Sequence, residues 1–188
     1  MLSHLRTVTR ASHDRLDAAF GALDLSAADD CARFLSAHAI ALKGLSTPFR
    51  RFVEEELDVP CPDFPAMLAA DLTERGLAME ALLSPEPDPA VHAPCGGAGV
   101  AYVIAGSRLG NAVIRAEGYH GRDTGLPSRY MEDDTGHAVW KALSTWARAR
   151  SFGQSEARAI EAAALATFAH FETAFAVGSN METPRADG

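Results

Sequence analysis

The chain has 188 residues, 47% of them hydrophobic, and a formal net charge of −8. That length supports one sizeable core, and the composition is ordinary for a globular protein. The negative balance argues against a nucleic-acid surface, where clustered Lys and Arg must meet phosphates. From the start, Met1 to Arg6 holds no apolar run of signal-peptide length. The longest apolar segment is interrupted by Arg108 and Asn111, too early to span a bilayer. A cytoplasmic protein without membrane or nucleic-acid partners is expected.

Nearly every segment predicts a helix. Ser3 is placed to cap a first helix that Gly21 ends, with Leu5, Thr9, Leu16 and Phe20 on one stripe and His13 within it. Ser26 is placed to cap a second helix, reaching about Gly44 and carrying Phe34, Leu35, Ile40 and Leu42. Pro48 suits the first turn of a third, through Phe52 and Leu57. After the break from Pro60 to Pro65, a fourth carries Met67, Leu68 and Leu72 and continues past Gly76 to Leu82.

The stretch from Ser84 to Gly97 is a loop, with Pro85, Pro87, Pro89, Pro94 and a Gly-Gly pair. It leads into a glycine-bearing apolar helix, Gly99 to Ala116. Residues Gly118 to Asp134 are polar and turn-rich. Two more helices follow, Thr135 to Arg150 with Trp140, Leu143 and Trp146, and Ser155 to Ala176 with Ile160, Leu165, Phe168, Phe171 and Phe175. Period-two alternation, repeats and composition shifts are absent. The expectation is one all-α helical bundle over 1–177 and a flexible tail over 178–188.

The cysteines, Cys31, Cys61 and Cys95, are odd in number and form no Cys-x-x-Cys pair. That speaks against a disulfide framework or a structural zinc site. Cys95, beside Gly96 and Gly97, is a conceivable nucleophile, but no base is placed for it.

Gly99, Gly106 and Gly110 fall on one face of their helix. Each costs about 1 kcal/mol relative to alanine. Two readings follow: close packing on a neighbouring helix, or the approach of something flat and bulky to the backbone. His13 likewise reads either as a satisfied core histidine or as a metal ligand pointing inward. Arg10 and Arg6 lie one and two turns before it on the same side. They read either as a solvated basic face or as cations for a ligand's carboxylates. Neither His-x-x-x-His nor Glu-x-x-His occurs in the helices, so a metal held by His13 would take most of its ligands from elsewhere. Haem, which is flat and apolar with two propionates, supplies its own.

These residues resemble biliverdin-producing haem oxygenases, most closely the bacterial type associated with bacteriophytochromes. The stretch Leu5 to His13 resembles the family's proximal helix, which ends in the iron-ligating histidine. Phe64 to Leu72 is similar to a mid-chain family segment. Tyr102 to Asn111 resembles the kinked distal helix, and the segments around Trp140 and Phe168 to Phe171 resemble the C-terminal part.

The resemblance implies His13 as the iron ligand and Gly106 and Gly110 as the distal glycines. It implies Arg6, Arg10 and Lys141 near the propionates and Phe168 against the macrocycle. Two departures stand out. Asn111 replaces the family's usual second glycine, where it would bond distal water or crowd the pocket. Ser107 stands where some relatives carry a water-ordering acid, and its hydroxyl can do part of that work.

The implied activity is oxidative opening of haem to biliverdin with release of iron and carbon monoxide. No Gly-rich nucleotide fingerprint follows a strand, so electrons come from an external reductase or another donor. A bacteriophytochrome is the implied acceptor of the product. A non-catalytic haem-binding or sensing protein on the same scaffold is the alternative. A haem-free interaction protein, whose glycines only let helices touch, is a third reading.

Overall fold

The computed structural model describes residues 1–77, 82 and 84–179. Among them are eight α-helices and no strand, in one all-α domain: α1 (Leu2–Val8), α2 (Arg10–Gly21), α3 (Ala28–Glu55), α4 (Phe64–Glu74), α5 (Gly96–Glu117), α6 (Arg129–Glu132), α7 (Thr135–Ala149) and α8 (Gln154–Ser179). Most of the tail expected over 178–188 lies outside the described residues, and α8 runs through Gly178 to Ser179.

Acceptor side chains start several of these helices. Asp63 accepts from the Ala66 N–H at 3.2 Å to cap α4, where Pro65 costs nothing because first-turn N–H groups have no helical partner. Ser128 caps α6 by accepting from Met131 N at 3.1 Å, and Asp133 accepts from Gly136 N at 3.1 Å at the head of α7. Asp88 caps a short 3₁₀ turn, Pro89–His92, inside the proline-rich loop. Two expected caps are corrected. Ser3 lies inside α1, after an N-cap at Met1 that makes no side-chain bond. Ser26 donates its hydroxyl to Asp24 at 2.6 Å, and α3 begins two residues later with Asp29 and Asp30 against its positive end.

The expected second and third helices are one. α3 runs through Pro48, although an interior proline forfeits the bond to the carbonyl four residues back. Buried side chains on both sides of it, from Cys31 through Leu45 to Phe52 and Val53, hold the helix together across that lost bond. The fourth helix stops sooner than expected. Gly76 takes φ +74 just beyond Glu74, and buried Leu82 lies outside any helix.

α8 is the central helix, packed chiefly on α5 and α3. By length and composition alone it is apolar enough to cross a membrane. Gly99 lets it approach: a Cβ there would stand 2.3 Å from the Ile160 carbonyl oxygen and 2.7 Å from Ala164 N. α1 and α2 also lean mainly on α8. They are separated at Thr9, which is buried and whose hydroxyl donates to the Leu5 carbonyl at 2.8 Å. Such back-bonding bends a helix.

The turn-rich segment after α5 is fastened by Asp71 of α4. Its fully buried carboxylate accepts from Ser128 Oγ (2.5 Å), Arg129 N (2.8 Å) and Tyr130 N (3.0 Å). The three cysteines are free, with Cys31 buried, Cys61 half-buried and Cys95 exposed. Burial, and then Glu156 beside it, push the Cys95 thiol above its ordinary value, which disfavours the reactive thiolate.

Candidate functional site

A cavity of about 630 Å³ opens between α2, α3, α5, α7 and α8. Its size falls within the range of roughly 300–1,000 Å³ usual for small-molecule sites. The wall is mostly aromatic and aliphatic: Phe20, Phe34, Tyr102, Trp140, Phe168 and Phe171 contribute rings, and Val103, Leu109 and Ile114 contribute aliphatic surface. Polar groups gather on α1 and α2 and along α5.

His13 lines this cavity, but its side chain is 57% exposed, not directed into the core as expected. The reason lies on its own helix. Asp17, one turn on, stands 3.0 Å from Nδ1, and Phe168 of α8 meets the ring edge-on with centroids 6.0 Å apart. A carboxylate beside Nδ1 favours the proton there and leaves the Nε2 lone pair available. This is the arrangement common to metal-ligating histidines.

Arg6 and Arg10 also line the mouth. Arg10 stands 3.9 Å from Asp14, with both side chains well exposed, while Arg6 has no ion-pair partner among the described residues. Lys141 is exposed and is not part of the wall. On α7 it is the neighbouring Trp140 that lines the cavity. Phe168 is buried and lines the cavity.

On α5 the glycine stripe divides into two roles. Gly99 is the helix contact already described. Gly110 has nothing within 4 Å of where a Cβ would sit, and at Gly106 that atom would just touch Trp140 at 3.4 Å. Both line the cavity, so helix packing explains Gly99 and leaves Gly110 unexplained. Ser107 lines it too, but its hydroxyl donates to the Ile104 carbonyl at 2.9 Å and keeps only acceptor capacity for a ligand.

Asn111 neither crowds the cavity nor stands free within it. With its amide oxygen turned to Arg108, it accepts from Nη1 and Nη2 at 2.8 Å each. Arg108 is fully buried. It donates to the Tyr130 carbonyl, stands 3.7 Å from the Asp133 carboxylate and lies over the Tyr130 and Phe64 rings at 4.2 and 4.9 Å. A charge so placed is sustained by these partners, with Nε alone left unbonded.

Sequence reasoning missed His38. It is buried, lines the cavity and is ringed by Phe20, Phe34, Tyr130 and Phe171. Its Nδ1 donates to the Phe34 carbonyl at 2.8 Å, because a carbonyl can only accept. Burial, and more weakly the Arg108 charge, push it down to about 4, so it is neutral near pH 7. Its position one turn after Phe34 on the apolar stripe of α3 was the available signal.

Among the described residues no three His, Cys, Asp or Glu side chains converge to hold a bare metal ion. Compared with protein-family models and with curated proteins, the chain matches none.

Proposed function

We propose that this protein is a haem oxygenase, opening haem to biliverdin with release of iron and carbon monoxide. One observation carries the reading: the cavity is shared by an imidazole on α2, prepared by Asp17, and by unobstructed main chain at Gly110 on α5. The sequence resemblance over the same segments supports it. The residues present fit the group. His13 Nε2 would hold the iron, the aromatic walls would enclose the macrocycle, and Arg6 would meet a propionate at the mouth.

Bound haem would supply both the oxygen-activating iron and the ring that is opened. The chain's own work is then positional. Asp17 orients His13. Gly106 and Gly110 keep bulk away from the face where a small ligand must enter, and the apolar walls exclude bulk water. Of the polar groups of α5 that line the cavity, Ser107 would offer its remaining acceptor capacity to a water, while the Asn111 amide oxygen is held by Arg108. The electrons come from an external donor; a bacteriophytochrome acceptor follows from the resemblance alone, and a cytoplasmic setting from the sequence pattern alone.

A non-catalytic haem-binding protein is the second reading, favoured by the Ser107 hydroxyl donating within its own helix. The test is haem titration followed by ascorbate in air. A Soret band and then biliverdin absorbance are expected. A Soret band without biliverdin supports the second reading, and absence of the band rejects both.

A further inference from the structure

The cavity holds two imidazoles, and only one has been given a role. His38 meets the requirements of a ligand contact independently of His13. Its ring lines the cavity, and its Nδ1 proton is committed to the Phe34 carbonyl at 2.8 Å. Four aromatic rings surround it at centroid distances between 4.2 and 5.7 Å and fix its orientation. Nε2 has no hydrogen-bond partner among the described residues. It is also not among the fully enclosed unpartnered atoms, which are Arg75 Nε, Arg108 Nε and Trp146 Nε1. A buried polar atom without a partner is costly unless something on the open side satisfies it. The open side here is the cavity.

We propose that His38 is a second lone-pair donor to the occupant of the cavity, acting through Nε2 from the buried side while His13 acts from the mouth. The donated pair goes to an O–H group, such as a water, held in the cavity; a bond from His38 to the iron itself would take the position that Gly106 and Gly110 leave open for a small ligand. The two imidazoles are prepared alike, each with Nδ1 facing an oxygen and Nε2 left free. A proton-donating role is excluded, because the only ring proton of neutral His38 is already bonded to Phe34. The inference rests on the haem reading above.

The experiment uses ferric haem added to the full chain and to His38→Leu, His38→Gln, His13→Ala and the His13→Ala/His38→Leu double variant. Absorption and electron paramagnetic resonance report the iron's ligands and spin state, and titration reports affinity. His38→Leu is expected to change the spin state or the ligand signature of the wild-type complex. In the His13→Ala background it is expected to weaken haem at least tenfold. If His38→Gln restores the wild-type signature, His38 accepts from a held O–H group, since an amide oxygen accepts hydrogen bonds but ligates iron poorly. If His38→Gln behaves like His38→Leu instead, His38 does not act as an acceptor and the proposal is overturned. Identical spectra and affinities with and without His38, in both backgrounds, would overturn the proposal while leaving the haem reading intact. A wild-type protein with no Soret band would overturn both. Circular dichroism accompanies each variant, and His38→Gln, nearest in size and polarity, carries the comparison if His38→Leu is unfolded.

Discussion

With its amide oxygen turned to Arg108, Asn111 accepts from both terminal nitrogens of that residue at 2.8 Å, so a residue of the cavity wall also satisfies donors of a buried guanidinium. The two side chains are one unit. The cavity face of α5 is therefore tied to α6 and to the loop after it, through Tyr130 and Asp133.

Replacing Asn111 by glycine, the residue the resemblance would place there, should not improve the protein. It leaves a buried donor short of an acceptor, at about 1–3 kcal/mol. Glycine within a helix adds up to about 1 kcal/mol. Urea denaturation of Asn111→Gly should show this loss, with haem binding retained. An unchanged midpoint would mean that the pair contributes nothing.

Gly99 and Gly110 should respond in opposite directions. Gly99→Ala drives a methyl onto backbone atoms of α8, which cannot move aside cheaply, and should cost about 1–3 kcal/mol. Gly110→Ala meets nothing within 4 Å and should stabilise by about 1 kcal/mol through helix propensity. Gly110→Leu should keep the fold and weaken haem binding by filling the space. Thermal melts and haem titrations read both effects, and a stable Gly99→Ala with a destabilised Gly110→Ala would refute the division.

His38 predicts a pH dependence with a definite sign. In the unfolded chain it takes up a proton near pH 6.5, whereas in the folded chain it does so only at about 4. Its depressed value therefore contributes stability that is full above about 6.5 and is lost as the pH falls toward 4. The loss amounts to about 3 kcal/mol. Denaturation of the ligand-free protein at pH 7 and pH 4.5 should show a steeper decline than in His38→Leu. Parallel slopes would rule the contribution out.

Asp71→Ala should be among the most damaging single changes. It strands the Ser128 hydroxyl and the Arg129 and Tyr130 N–H groups, and it removes a fully buried charge partner of Arg129. A cost of about 3–5 kcal/mol is expected. Amide exchange should quicken first around residues 128–131, where those donors lie.

The all-α class was legible because helical periodicity needs only the order of apolar residues. Helix boundaries were less so. Pro48 reads locally as a start, but the apolar residues before and after it share one core, and packing carried the helix across. Ser26 reads as a cap, yet it is turned to the Asp24 carboxylate, to which both its N–H and its hydroxyl donate, and the N-cap falls on Ala27. The site was partly legible. His13, Arg6, Arg10, Gly106, Gly110, Phe168, Ser107 and Asn111 all reach one cavity, while Lys141, one residue from Trp140, faces away. Arg108 and His38 escaped because a charged residue in an apolar helix and a histidine in a long stripe give little local sign of the partners that other elements bring to them. The distant ones come from α2, α4, α6, α8 and the segment after α6.

α1 and α2 find most of their support on a single neighbour, α8, and border a hollow where a bundle would ordinarily be solid. Whatever fills that hollow acts as mortar for the first two helices. Loading and folding are then linked by mass action, with a hundredfold excess of ligand over its dissociation constant adding about 2.7 kcal/mol. Unloaded molecules should be trimmed first from their leading end by proteases, so that the amount of intact protein in a cell would follow the supply of its ligand.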